Sequence, residues 1–318
     1  MGKPKFGVFL PFYAFQAKGP KEQFSLIQDV VLECERLGYH AVWLDDHLMY
    51  NDWHILESWT TLSALSSLTN SIRLGTMVSC NAHRNPALLS KMAATLDVLS
   101  NGRLELGVGT GAQEAEHVAY GFGFSPPSVR IARLSEALEV IWRLWTEEKA
   151  NYQGKYYRLT NAVCEPKPLQ KPHPPITVGG RADLLIQKVT AKYADRFDWG
   201  FLSSIEVYMH KLAFLENQCK AIGRNLSEIE KSCWPGSQVL IAQNQRELSK
   251  KISQGKPAMA SMEDFKKTTL MGTPVECIEQ LQVYVDLGVT YFMLFFADFP
   301  SLDGLRLFAE NVMDKMSG

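Results

Sequence analysis

Ile72-Arg-Leu-Gly-Thr-Met-Val-Ser-Cys80 and, further on, Leu104-Glu-Leu-Gly-Val-Gly-Thr-Gly111 decide how this chain reads. The apolar run Ile72 to Val78 ends in small polar residues, Ser79, Cys80 and Asn81. Ala87 to Leu99 has helical spacing and stops at Asn101-Gly102. Leu104 to Val108 is a second apolar run, and it closes on Gly107-Val-Gly-Thr-Gly111. The unit is strand, helix, strand, with small residues where each strand meets its loop. In α/β proteins ligands sit at those carboxyl ends.

Working outward, the same unit repeats. Phe6 to Pro11 and Ala41 to Leu44 read as the first two strands, joined by a helix over Lys21 to Leu37 with Gly38 at its C-cap. Leu56 to Leu68 is a second helix, and Arg130 to Thr146 follows the glycine-rich run as a fourth. Beyond it, Ile176–Val178, Trp199–Leu202, Gln238–Ala242 and Tyr291–Phe296 read as strands five to eight. Helices over Ala182–Tyr193, Ile205–Ile222, Pro274–Leu287 and Leu302–Met316 separate and follow them. Alternation of this kind argues for a parallel sheet. Eight units over about 250 core residues argue for a closed (β/α)8 TIM barrel. The expected organisation is a single α/β barrel over residues 1–318, with insertions at about 112–128, 151–175 and 243–272. An open doubly wound sheet is the alternative. It fits less well, because Ala112 stands where the last glycine of a Gly-x-Gly-x-x-Gly turn belongs.

The bulk properties narrow the function classes. A formal charge of −1 gives no reason to expect nucleic acid or an anionic membrane as partner. No apolar stretch reaches transmembrane length, and the N-terminus runs straight into a strand rather than a signal-peptide core. The cysteines at 34, 80, 164, 219, 233 and 277 form no Cys-x-x-Cys pair. They read as reduced, mostly buried thiols of a cytoplasmic protein. No His-x-His or His-Glu-x-x-His occurs among the seven histidines, so no metal site is expected.

Two strand ends carry possible chemistry. Asp45-Asp46-His47 closes strand two, where a histidine can donate to a ligand and a neighbouring carboxylate can fix its tautomer. A strand-end histidine that merely pairs with backbone is an equally good reading of position alone. Gly179-Gly180-Arg181 closes strand five and opens a helix. Backbone N–H groups there suit an anion, and Arg181 adds charge. A tight strand-to-helix turn explains the same glycines. Cys80 is a candidate nucleophile, although no adjacent base is visible.

Together these stretches resemble the bacterial luciferase-like superfamily of flavin and deazaflavin oxidoreductases, over nearly the whole chain. The resemblance rests on Leu44-Asp-Asp-His47, Glu57-Ser-Trp-Thr60, Ile72 to Val78, Arg84-Asn-Pro-Ala-Leu-Leu and Gly107 to Gly111. Tyr152-Gln-Gly-Lys-Tyr-Tyr157 and Pro166-Lys-Pro-Leu-Gln-Lys-Pro-His-Pro-Pro-Ile-Thr-Val-Gly-Gly180 add to it. The pattern is most similar to the branch that uses coenzyme F420, an 8-hydroxy-5-deazaflavin; FMN-dependent relatives share much of it. The resemblance implies a barrel with the cofactor ring over the strand ends. It implies a non-prolyl cis peptide at the end of strand three, by position Met77–Val78, with Val78–Ser79 second. Met77, Val78, Ser79, Cys80, Gly109 and Thr110 then lie against the ring, and Val178, Gly179, Gly180 and Arg181 at the phosphate. Asp46 and His47 match the strand-two pair. Several deazaflavin dehydrogenases carry Glu directly after Gly-Thr-Gly, where this chain has Ala112-Gln113-Glu114. Either Glu114 takes that catalytic role after a small shift or the role is absent, and sugar-phosphate specificity of that type is not expected.

Three functions compete. The first is an F420-dependent oxidoreductase that transfers a hydride to or from a small organic substrate. The second is an FMN-dependent monooxygenase supplied by a separate flavin reductase. The third is a non-catalytic flavin- or deazaflavin-binding protein. Tyr13, Phe12, Tyr50, Trp53 and Phe296 can wall an apolar pocket or pack the barrel. The family likeness also implies a homodimer, with helices two and three as natural interface elements.

Overall fold

The computed structural model describes residues 3–17, 19–180, 186–202, 204–257 and 260–316. The chain opens with β1 (Lys5–Leu10), α1 (Pro20–Arg36), β2 (Ala41–Leu44), α2 (Ser58–Ser66) and β3 (Arg73–Thr76). A two-residue strand β4 (Ser79–Cys80) leads to α3 (Pro86–Leu99), β5 (Leu104–Gly109), a short α4 (Glu114–Ala119) and α5 (Pro127–Thr146). The hairpin β6 (Ala150–Gln153) and β7 (Arg158–Ala162) precedes β8 (Ile176–Gly179), α6 (Ile186–Tyr193), β9 (Arg196–Asp198), α7 (Ile205–Ala221) and β10 (Ser232–Cys233). Then come β11 (Val239–Ile241), α8 (Gln245–Gly255), α9 (Met262–Thr268), β12 (Leu270–Gly272), α10 (Pro274–Asp286), β13 (Tyr291–Leu294) and α11 (Asp303–Phe308).

The helix ends follow local chemistry. Asn85 caps α3 by accepting from the Ala87 N–H at 2.9 Å, and Pro86 stands at the first helical position. Thr273 and Glu276 form a reciprocal capping box on α10. Asn101 and Gly102, at φ 55° and 80°, stop the chain after α3.

The main sheet runs β10-β13-β1-β2-β3-β5-β8-β9, all parallel, with β4 added beside β5. It closes through parallel bridges Arg196–Glu230 and Phe201–Trp234, so the eight-membered barrel is complete. One large core lies between strands and helices, and includes Phe6, Val8, Leu44, Leu62, Leu106 and Leu138. A smaller one, Ala41, Trp43, Tyr291 and Met293, fills the barrel itself. Gly75 makes room for it: a Cβ there would sit 2.5 Å from Trp43.

Two strand assignments are corrected. The sixth barrel strand is Arg196–Asp198, three residues before the expected Trp199–Leu202. Its two charged residues face the barrel interior, so it shows no apolar run. The seventh is Ser232–Cys233, too short and polar to carry a hydropathy signal. The expected seventh strand survives as β11, but it pairs with β12 outside the main sheet. With α8 and α9 it forms the third expected insertion around its own core of Leu240, Leu248, Phe265 and Met271. No helix among the described residues is long and apolar enough to cross a membrane.

At the amino ends of the strands the barrel is plugged by charge. Glu105 is buried between Arg73 and Arg196, with Arg196 Nη1 3.0 Å from its carboxylate. Arg196 lies over the Tyr291 ring at 3.9 Å and also pairs with Glu230 at 2.6 Å. Burial works against the Glu105 charge, but Arg196, His40 and Arg73 outweigh it and hold the carboxyl far below its ordinary range. Removing one partner of such a buried pair strands the other charge. We expect Glu105→Gln to lower unfolding stability by about 3–5 kcal/mol in urea titrations. Activity per folded molecule should be unchanged, and a loss under 1 kcal/mol would show that the plug is not held by charge.

Candidate active site

A cleft of about 900 Å³ opens at the opposite end, over the carboxyl ends of the strands. Its floor is built from the stretch after β3. The Met77–Val78 peptide is cis. Val78 sits between two glycines that its side chain requires: a Cβ on Gly109 or Gly179 would approach Val78 to 2.6 or 2.7 Å. Thr76 Oγ1 donates to the Gly107 carbonyl at 2.9 Å, which pins the bulge to β5. The glycine-rich run therefore serves the close packing of three strand ends.

The three residues closing β2 go three ways. Asp45 accepts from the Phe12 N–H at 3.1 Å, and burial pushes its carboxyl up to about 6. Asp46 is fully engaged. Arg84 grips both its oxygens, at 2.7 and 2.9 Å, and Ser58 Oγ and the Cys80 N–H donate to it at 2.7 and 2.9 Å. His47 turns to Glu116, its Nδ1 3.1 Å from Oε2. Glu116 also accepts from the Leu48 and Met49 N–H groups.

Burial disfavours the charged His47, but Glu116 and the neighbouring Asp45 and Asp46 charges outweigh it and raise its pKa above 6.5. Burial likewise opposes the Glu116 charge; His47 and the two backbone donors prevail and lower it to about 2. With Nδ1 occupied, Nε2 is the His47 nitrogen left for a molecule in the cleft.

Of the residues singled out from the sequence, Asp46, His47, Met77, Val78, Cys80, Gly109, Thr110, Gly179 and Gly180 all line the cleft. Ser79 and Val178 do not. Ser79 is buried behind the floor, accepting from Trp59 Nε1 at 3.0 Å and donating to Thr76 at 2.9 Å. Val178 is core. The Gly180 N–H is taken by the Asp198 carbonyl at 2.9 Å, so it is not free for a phosphate. Arg181 lies outside the described residues. Glu114 faces solvent at the start of α4; the carboxylate that reaches His47 is Glu116, two residues later. Burial pushes the Cys80 thiol up to about 11, which keeps it protonated and unsuited to a nucleophile's role. Phe12 and Phe296 are fully buried, whereas Tyr13, Tyr50 and Trp53 stack at the rim beside His47, with ring centroids 5.0–5.7 Å apart.

Sequence reasoning missed Asp198, Arg130 and Glu116. Asp198 lines the cleft, held by Trp234 Nε1 at 2.7 Å and the Gly200 N–H at 2.8 Å. Burial lifts its carboxyl to about 6. Arg130 reaches in from α5, lies 4.1 Å from the centre of the Phe124 ring, and leaves its buried Nε without a partner. Nothing local in the sequence marks these residues, because their partners lie on other strands and loops.

The cleft thus lies over the carboxyl ends of a parallel barrel, with Val78 between two glycines at its floor and a carboxylate-backed histidine in its wall. Residues 4–254 match the family described as luciferase-like monooxygenase, and the chain belongs to that oxidoreductase family. It is 29% identical to an F420-dependent glucose-6-phosphate dehydrogenase from Segniliparus rotundus, over 94% of this chain and 96% of that one. A monooxygenase from Streptomyces bottropensis has the same fold (TM-score 0.80, 22% identity, 98% and 99% of the two chains). So does the coenzyme F420-dependent tetrahydromethanopterin reductase from Methanopyrus kandleri (TM-score 0.78, 18% identity, 99% and 100%).

The His47–Glu116 pair makes stability depend on pH. His47, raised in the folded state, contributes fully below its ordinary 6.5, and its contribution is lost as pH climbs through the raised value. Glu116, lowered to about 2, contributes above its ordinary 4.5, and its contribution is lost as pH falls toward 2. We expect the destabilisation by Glu116→Gln to be largest between pH 4.5 and 6.5 and to shrink on either side. Urea unfolding of both proteins across pH measures it, and a loss independent of pH would remove the ion pair from the account.

Proposed function

We propose that the chain is a coenzyme F420-dependent oxidoreductase acting on a small organic substrate. The observation that carries this reading is His47, backed by Glu116 at 3.1 Å, at the mouth of a cleft floored by Val78 between Gly109 and Gly179. The full-length likeness to an F420-dependent dehydrogenase favours the deazaflavin over FMN. The residues fit such a group. The two glycines let Val78 settle between the strand ends as the floor, and Arg130 on the cleft wall brings a positive charge that suits an anionic tail.

When bound, a deazaflavin supplies a carbon centre that exchanges hydride and hardly supports oxygen chemistry. The protein's own part is proton handling and placement. His47 Nε2 takes a proton from a substrate hydroxyl in the oxidising direction and returns it in the other, and Glu116 stabilises the imidazolium between. Asp46, locked to Arg84, positions the backbone that carries His47. The rings of Tyr13, Tyr50 and Trp53 offer an aromatic cluster beside His47 for an apolar substrate. With Ala112 after Gly-Thr-Gly, a sugar phosphate is not the expected substrate.

A second reading, an FMN-dependent monooxygenase fed by a separate reductase, draws on the same floor and on the apolar rim. Fluorescence titration with coenzyme F420 and with FMN separates the two. We expect tight deazaflavin binding and at least tenfold weaker FMN binding; the reverse order, with oxygen uptake on adding reduced FMN, would replace the first reading by the second. His47→Ala should lower turnover by about 10²–10⁴-fold while leaving the cofactor affinity within a few-fold. Unchanged turnover in that variant would take His47 out of the chemistry.

A further inference from the structure

Behind the cleft wall, three side chains with metal-ligating atoms converge: Cys80 from β4, His83 from the loop after it, and His117 from α4. Their ligand atoms all lie within 4.8 Å of one another. Cys80 lines the main cleft, whereas His83 and His117 line a side cavity of about 320 Å³, so the three stand in the wall between.

The donor set is already oriented. His117 Nδ1 is 2.9 Å from the Gln113 carbonyl, so Nδ1 carries the proton and Nε2 presents a lone pair. That Nε2 lies 3.6 Å from Cys80 Sγ. Two tetrahedral zinc ligands with Zn–S near 2.3 Å and Zn–N near 2.05 Å stand about 3.6 Å apart. The space beside them holds no side chain: Gly111, at φ 75°, is the neighbour, and a Cβ on it would come within 2.7 Å of His117 Nε2. His83 supplies the independent observation. Its side chain is 1% exposed, and neither ring nitrogen has a hydrogen-bond partner. An imidazole buried with both nitrogens idle is costly. Its Nδ1 lies 3.9 Å from Asp46 and its Nε2 3.8 Å from Glu116, so whichever nitrogen binds a metal leaves the other facing a carboxylate.

We propose that Cys80, His83 and His117 form a site for a late divalent transition ion, of which Zn²⁺ is the redox-inert representative. One thiolate and two imidazoles suit such an ion, and calcium or magnesium would want oxygen ligands instead. Binding converts the Cys80 thiol to a thiolate and releases its proton to solvent. His83 moves by about 1 Å to reach bonding distance. The fourth position is left for water or for a donor atom of a molecule in the cleft or the side cavity. The three residues come from two segments of the chain, with His117 standing 37 positions after Cys80, which is why no local spacing motif announces them.

The test uses full-length protein stripped by a chelator and needs no cofactor. Titration with Zn²⁺ against a chromophoric competitor should give one ion per chain. Co²⁺ should produce visible d–d bands and a thiolate-to-cobalt charge-transfer band. Cys80→Ser and His117→Gln should each weaken Zn²⁺ binding by roughly 100-fold or more, and His83→Ala by at least roughly 10-fold. The wild-type melting temperature should rise with Zn²⁺ and stay put with Mg²⁺, a readout that needs no variant to fold. Absence of a thiolate band, or Zn²⁺ affinity that the three substitutions leave unchanged, would overturn the proposal and leave a hydrogen-bonded Cys–His pair.

Discussion

The ion pair between Asp46 and Arg84 ties the mouth of the barrel together. Asp46 ends β2, Arg84 lies between β4 and α3, and the two groups also hold Ser58, Glu57 and the Cys80 N–H. Taking two charges out of water is expensive, and the pair persists because every lone pair of the carboxylate has a donor. The arrangement fixes β4 to the end of β2, and so fixes the floor of the cleft relative to His47. The anchoring carboxylate and the imidazole stand on adjacent residues, Asp46 and His47. Asp46 acts as an anchor, with donors on both of its oxygens.

The two ends of the barrel divide stability from function. At the amino ends, Glu105, Arg73 and Arg196 fill the interior with a paired network stacked on Tyr291. At the carboxyl ends, glycines at 107, 109 and 179 remove side chains so that the backbone of the third strand can bulge beside its neighbours. The first arrangement pays desolvation to gain a rigid base. The second uses the missing Cβ atoms to pack Val78 and the Thr76 backbone tightly against the neighbouring strands. The aromatic rings of Trp43 and Tyr291 sit between, with Met77 of the cleft packed against their cluster.

Much of this was legible in the sequence, and the exceptions share a cause. Helices and the β1, β2 and β5 strands bury long apolar faces, and periodicity reveals such faces directly. β9 and β10 carry Arg196, Asp198 and Ser232 inside the barrel, and a short strand with inward polar groups has no apolar signature. The stretch at 77–80 was legible as a floor, but not that Ser79 would turn into the core to meet Trp59. A side chain's direction depends on the bulge, which no local propensity encodes. The same holds for Glu116, which meets a histidine 69 positions away.

The position of Glu116 bears on the kind of proton chemistry the cleft supports. A carboxylate that holds an imidazole and accepts from two backbone N–H groups is stabilised as an anion, and its pKa near 2 removes it as an acid or base. Its work is to favour the protonated histidine. Asp198, also on the cleft wall, is pushed up by burial to about 6. A Glu directly after Gly-Thr-Gly would have added a third carboxylate to the loop that carries Glu116, and the like charge would raise the cost of ionising each. With Ala112 there instead, His47 keeps Glu116 as its carboxylate partner without that competition.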